Sequence, residues 1–154
     1  MSIITYQDIM GVPAPTVLEQ LAHLNDTLFG FGETAEILAQ FYGAQQTPLT
    51  CLAFLENALV GYKIGYREAP KTFYSWRGGT HPSARRLGVA EALMARQHAW
   101  CRAHGFRVVK TTTNGDNRPM LILNLKSGFE IVGRFVNRGK RLKVLQEMAL
   151  GDET

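Results

Sequence analysis

Thr80-His81-Pro82-Ser83-Ala84-Arg85-Arg86-Leu87-Gly88-Val89-Ala90 is the stretch on which the fold turns. A strand ends at His81, a short loop carries two arginines, and a helix opens through a glycine. A helix start exposes unpaired backbone N–H groups and the positive end of the macrodipole, so it attracts an anion. Gly88 removes a side chain that would hold a phosphate away, while Arg85 and Arg86 add fixed charge. Pyrophosphate is the natural guest of such a loop. The same residues also describe an ordinary strand-to-helix turn with a small residue for packing. No Gly-Lys-Ser/Thr follows, which excludes a Walker A loop, and no G-x-G-x-x-G is present, which excludes a Rossmann fingerprint.

Working outward, Arg86 to His104 reads as an amphipathic helix with Val89, Ala90, Leu93, Met94, Gln97, Trp100 and Cys101 on one face, stopped by Gly105. Val108–Thr113 is a β-branched strand, and Asn114-Gly115-Asp116-Asn117 is a loop. Pro119 opens a helix carrying Leu121, Ile122 and Leu125, which Gly128 ends with Phe129 folding back. Glu130–Asn137 and Leu142–Ala149 form a hairpin around Arg138-Gly139-Lys140. Upstream, three antiparallel strands are expected at Leu49–Glu56, Leu59–Arg67 and Thr72–Arg77. Val17, Leu18, Leu21, Leu24 and Leu28 recur at helical spacing, as do Ile37, Leu38 and Phe41, and Ile3–Tyr6 is a weak first strand. The pattern predicts an α+β fold: a mixed, mostly antiparallel sheet of six to seven strands flanked by helices.

The 154 residues fit one domain, spanning 1–154. A 45% hydrophobic and 19% charged composition is that of a soluble globular chain. Two cysteines, Cys51 and Cys101, make no disulfide framework, so a reducing, cytoplasmic setting is expected. The opening MSIITYQDIM has neither the basic nor the apolar region of a signal peptide, and no run approaches a membrane span. The net charge of +4 favours an anionic partner: nucleic acid, a phosphorylated cofactor or an acidic substrate.

Two blocks carry a resemblance. Arg85-Arg86-Leu87-Gly88-Val89-Ala90 matches the Q/R-x-x-G-x-G/A signature of the GNAT superfamily of acetyl-CoA-dependent N-acetyltransferases, and Thr80-His81-Pro82 looks like its V-x-P lead-in. Asn117 to Phe129 resembles N-x-x-A-I-x-L-Y-x-K-x-G-F. The resemblance covers about Gly78 to Gly133 strongly, and the upstream elements stand where the family has them. It implies that the amides from Arg85 through Arg86, Leu87, Gly88, Val89 and Ala90 hold the pyrophosphate of acetyl-CoA. It further implies that Gly79, Thr80 and His81 pair with the pantetheine arm, that one of their amides faces the thioester oxygen, and that Asn117 contacts the arm. Asn117 is equally suited to cap its helix. Paired glycines at 78 and 79 mark a bulge, a close backbone approach or a kink at a sheet edge.

Asn124 stands where many relatives have a tyrosine that protonates the departing thiolate, a task asparagine cannot perform. The general base has no single reading: Glu33, Glu68, His81 and Asp116 are candidates by type. Tyr74 occupies the strand position of a catalytic glutamate in some relatives; with Trp76 it lines the acceptor site or belongs to the core. Phe29, Phe31, Phe41 and Tyr42 face the same alternative. Cys101 and His104 lie one helical turn apart but are too few for a metal site, and none is expected. The basic cluster Arg134, Arg138, Lys140, Arg141, Lys143 is a solvated hairpin tip, or selects an acidic acceptor, or contacts nucleic acid. The expected activity is acetyl transfer from acetyl-CoA to a primary amine on a small molecule or peptide, with no membrane partner; dimers are common among relatives, which leaves a homodimer open, but no interface is readable in the sequence. A noncatalytic acyl-CoA-binding relative and a basic nucleic-acid-binding domain are the alternatives.

Overall fold

A computed structural model describes residues 3–151. The elements run β1 (Ile4–Met10), α1 (Pro15–Phe29), α2 (Ala35–Ala44), β2 (Gln46–Leu55), β3 (Ala58–Ala69) and β4 (Thr72–Thr80), then a 3-10 turn (Pro82–Ala84). They continue with α3 (Val89–Ala103), β5 (Val108–Asn114), α4 (Arg118–Lys126), β6 (Glu130–Val136) and β7 (Leu142–Ala149). This is the expected α+β architecture: the described residues form seven strands in the order β1-β2-β3-β4-β5-β7-β6 and four α-helices. Every neighbouring pair is antiparallel except β4 and β5, which the α3 crossover makes parallel.

Alternation along the central strands divides the core in two. Leu52, Tyr62 and Ile64 face α1 and α2, where Leu18, Leu21, Leu24, Leu38 and Tyr42 cover them. Leu49, Cys51, Ala53, Val60 and Phe73 face the other way, under Val89, Leu93, Met94 and Cys101 of α3. Because both faces of β2 and β3 are covered, these strands read as nearly continuous apolar runs rather than clean alternations.

Boundaries differ from the sequence expectation where the backbone leaves its ordinary regions. The helix expected from Arg86 starts at Val89, because Arg86 (φ 68°) and Gly88 (φ 73°) are left-handed and no helix passes through them. The first strand extends to Met10 instead of stopping at Tyr6: it is an edge strand with a wet outer face, so Gln7 and Asp8 belong in it. The fourth strand runs through Gly78 and Gly79 to Thr80, three residues beyond Arg77.

The feature that positions the site is in β4. Ile64 pairs with Arg77 and Gly65 with Ser75, leaving Trp76 as the extra residue of a β-bulge. The bulge turns Trp76 and Arg77 to the same side. Trp76 stacks on Phe41 of α2 (3.8 Å between centroids) and Arg77 reaches Glu33 (2.6 Å) before α2. The parallel pairing of β4 with β5 ends at the same place: it covers Thr72–Ser75 against Val108–Thr111 and goes no further. Thr111 donates its hydroxyl to the Ser75 carbonyl (2.9 Å) at the point of divergence. Beyond it β4 keeps β3 but has lost β5, and a gap opens.

Candidate functional site

Two clefts meet in that gap. The first, about 380 Å³, lies towards α3 and is lined by Gly78, Gly79, Thr80, Arg85, Ala90 and Asn117 over an apolar floor that includes Leu93 and Met120. The second, about 630 Å³, lies between the diverging strands and is lined by Lys63, Ser75–Gly78, Thr111–Asn114, Asn124, Arg141 and Lys143, with Phe29 and Phe31 at its rim. Leu28, Phe29, Lys63, Gly78, Asn117 and Met120 line both. Among the described lining residues neither cleft has a carboxylate.

On the α3 side the donors are mostly main chain. From Arg77 to Thr80 β4 has a strand on one side only, so alternate N–H and C=O groups point into the gap. The first intrahelical bond of α3 joins the Ala92 N–H to the Gly88 carbonyl (3.0 Å), and no side chain caps the start. The amides of Val89, Ala90 and Glu91 are thereby left without helical partners. A side chain at position 88 would meet nothing within 4 Å, so the left-handed backbone, not crowding, requires this glycine. Close approach explains Gly79: a Cβ there would sit 2.6 Å from Leu28 Cδ1 of α1. At Gly78 it would be 3.1 Å from the Tyr62 carbonyl and 3.6 Å from Lys63 Cγ.

Of the positions singled out in the sequence, Gly79, Thr80, Arg85, Ala90 and Asn117 come together around the first cleft. Arg86 and Leu87 are exposed outside it. His81 bonds the Ser83 hydroxyl through Nδ1 (2.8 Å) and lines a separate depression with His23. Asn117 does cap α4, accepting from the Met120 amide (3.4 Å). Glu68 pairs with Lys110 (3.3 Å) and Tyr74 lies against Tyr66, both outside the two clefts. Glu33 is taken by Arg77 and Asp116 by Arg141 (3.5 Å). The aromatic residues divide: Phe29 and Phe31 stack on each other at the rim, whereas Tyr42 is buried against Thr50 (2.5 Å) and Phe41 packs on Trp76. Asn124 is buried, and its amide donates to Gln146 Oε1 (2.9 Å).

Sequence reasoning passed over Lys63 and Arg77. Lys63 lies opposite Gly78 on the adjacent strand, and its stem runs past the missing side chain into the junction of the clefts. Burial lowers its pKa to about 8, opposed only by the nearby Cys51. A lysine inside Gly61-Tyr62-Lys63-Ile64, a buried strand, was the available signal.

The profile of the Acetyltransferase (GNAT) family matches residues 18–129. At the level of sequence no curated protein matches the chain. Among solved structures, Ard1 from Thermoplasma volcanium is similar with a TM-score of 0.79 at 15% identity, covering 94% of this chain and 99% of its own. The ribosomal-protein-S18-alanine N-acetyltransferase from Escherichia coli has a TM-score of 0.79 at 12% identity, covering 96% and 97%. Arabidopsis thaliana NAA60, solved in complex with a bisubstrate analogue, has a TM-score of 0.72 at 16% identity, covering 93% and 98%. At these identities the likeness is one of fold.

Proposed function

This chain belongs to the GNAT acetyltransferase family, and from that premise we propose that it transfers the acetyl group of acetyl-CoA directly to a primary amine of a small molecule or peptide. The observation that carries the reading is the opening of the sheet beside Ser75–Thr111, where a half-paired strand edge and an uncapped helix start face one cleft. The donor set suits a thioester on a pyrophosphate-bearing carrier. The free amides of Val89, Ala90 and Glu91 and the Arg85 guanidinium suit the phosphates, and the edge of Gly78–Thr80 suits an extended amide-containing arm. We assign cofactor binding to Gly79, Thr80, His81 through its backbone, Arg85 to Ala90, and Asn117, with Arg86 and Leu87 contributing backbone only.

Acetyl-CoA supplies an activated acyl group when bound. The chain's part is to hold the acyl carbon at the gap and to offer a β4 amide to the oxygen that gains charge during attack. The amine nitrogen forms its bond to that carbon as the carbon–sulfur bond breaks; the amine gives up a proton to solvent, and CoA leaves as the thiolate, which takes a proton from solvent. No acidic side chain is needed for departure, because a thiolate is a tolerable leaving group near neutral pH. Asn124, held by Gln146, serves the wall of the acceptor cleft.

Both cysteines are free and buried, which supports a cytoplasmic enzyme; among the described residues no helix is long and apolar enough to cross a membrane. Support for a homodimer comes from the edge strand β6, which leaves Ile131, Val132, Phe135 and Val136 exposed; a mass above the monomer in sedimentation equilibrium is the expected result. The function is tested by calorimetric titration with acetyl-CoA beside Arg85→Glu, followed by thiol-release assays on amines. Binding that the variant loses is expected, and a folded wild-type protein that ignores acetyl-CoA would end this reading.

A further inference from the structure

We infer that the acceptor is a small primary amine that carries its own anionic group, a carboxylate or a phosphate, within a few bonds of the nitrogen. The inference rests on the transfer reaction proposed above and names the substrate class of the same site. Its basis is the charge of the second cleft. Four cations line it, Lys63 from β3, Arg77 from β4, and Arg141 and Lys143 from the last hairpin, and no described lining residue is acidic.

Neutralisation from outside the lining is incomplete. Glu33 answers Arg77 at 2.6 Å, but the exposed Arg141–Asp116 pair at 3.5 Å is worth little. Among the described residues Lys143 Nζ has only a neutral partner, the Asn114 side-chain oxygen at 2.6 Å. Lys63 has no hydrogen bond or ion pair among the described residues. A half-buried ammonium without a counter-charge costs stability, and its depressed pKa is the signature of that cost. A ligand that brings the counter-charge recovers it. The rest of the wall, Thr111, Thr112, Thr113, Asn114 and Asn117, offers hydroxyl and amide groups that suit carboxylate or phosphate oxygens. At about 630 Å³ the cleft has the dimensions of a small-molecule site.

The same charge serves the reaction. Surrounding cations disfavour the ammonium form of the acceptor, so the amine enters its neutral, nucleophilic state more readily. A carboxylate base is then not required, consistent with Glu33, Glu68 and Asp116 all being engaged in ion pairs. A polyamine or aminoglycoside would add positive charge to a positive cleft.

The test uses matched acceptors: β-alanine against β-alaninamide, O-phosphoethanolamine against ethanolamine, and 1,3-diaminopropane as the dication, with acetyl-CoA binding measured calorimetrically in parallel. The anionic member of at least one pair is expected to exceed its neutral twin by about tenfold or more in kcat/KM, with the diamine poorest. The pair with the larger ratio separates carboxylate from phosphate. Lys143→Glu should bring that ratio to parity while acetyl-CoA affinity is unchanged, and Lys63→Met should reduce it independently. Equal or better use of the neutral or dicationic amines, no turnover of any of them by protein that binds acetyl-CoA, or turnover confined to acidic peptides would each overturn the inference. Failure to bind acetyl-CoA would instead remove the transfer reaction on which it rests.

Discussion

The two clefts share a strand but are built from different materials. On the α3 side recognition falls to main chain: the half-paired edge of β4 and the amides of Val89, Ala90 and Glu91. On the other side it falls to side chains delivered from β3, β4 and β7: Lys63, Arg77, Arg141 and Lys143. A site made of backbone depends on where the chain turns and tolerates most substitutions that keep the turn. A site made of side chains changes its guest with single substitutions. The contrast fits the proposed reaction, with the constant partner in the first cleft and the variable partner in the second.

The largest effect expected from that contrast is at the one side chain in the loop that does enter the first cleft. Arg85→Glu should weaken acetyl-CoA binding by about a hundredfold, because it replaces a cation lining the cleft proposed for the phosphates with an anion. Arg86→Glu, outside the cleft, should cost only about fivefold through longer-range charge. Equal losses in calorimetry would erase the distinction between backbone and side-chain recognition.

Next in size is the pH response of α3, the helix that presents those amides. His98 is buried on it with Nε2 unpartnered among the described residues, and desolvation, then Lys63 and Arg102, lower its pKa to about 4. Its neutral form is the folded form, so the penalty is absent above the ordinary value of 6.5 and complete below about 4. Unfolding free energy should therefore fall by about 2 kcal/mol as pH drops through that window, and His98→Leu should flatten the slope in urea titrations.

Lys63→Met should stabilise the fold by about 1–2 kcal/mol at pH 7, less than the full shift implies because water reaches the clefts. The sign follows from the lysine pKa, about 8 folded against 10.5 ordinarily: the cost is complete below 8 and gone above 10.5. Wild-type stability should rise across that interval and the variant's should not. The same substitution should raise the pKa of His98, visible by NMR, since Lys63 is one of its depressing charges. A variant that is more stable yet poorer with anionic acceptors would identify this lysine as retained for binding. The smallest effect lies deeper in α3, where the Gln97 amide is buried with neither end partnered among the described residues. Gln97→Met should be neutral or stabilising by up to about 1 kcal/mol in thermal melts, with both clefts unaffected.

The same contrast explains what could be read from the sequence. Helix α3, the hairpin of β6 and β7, and Gly105 and Gly128 as helix stops were all legible, since each is a local matter of periodicity or φ. So was the loop from Arg85 to Ala90 as an element, because a backbone turn leaves glycine and proline behind in one short segment. The start of α3 was misplaced by three residues because a non-glycine residue, Arg86, takes a left-handed φ without any mark in the sequence. Glycines 78 and 79 signalled a bulge, a close approach or a kink; close approach holds at both, and the bulge lies two residues before Gly78, at Trp76. The second cleft was illegible because its cations are up to 80 residues apart and meet only through strand order. Of the basic cluster on the last hairpin, only Arg141 and Lys143 turn inward; Arg134, Arg138 and Lys140 do not line the cleft. No sequence rule distinguishes the two sets.

The bulge at Trp76 also acts as a parity device. A strand is a two-state counter, and each residue added or removed exchanges the faces of everything after it. The extra residue resets the count so that Arg77 faces Glu33 and Gly78 falls beside Lys63. Pairing Trp76 regularly, without the bulge, would exchange those faces: a guanidinium would enter the space beside Lys63, and the glycine would lie where the ion pair had been, whereas deleting Trp76 would leave Arg77 opposite Ile64 and Gly78 opposite Lys63. The bulged conformation therefore carries the phase of both clefts, by taking up one residue that regular pairing would have counted.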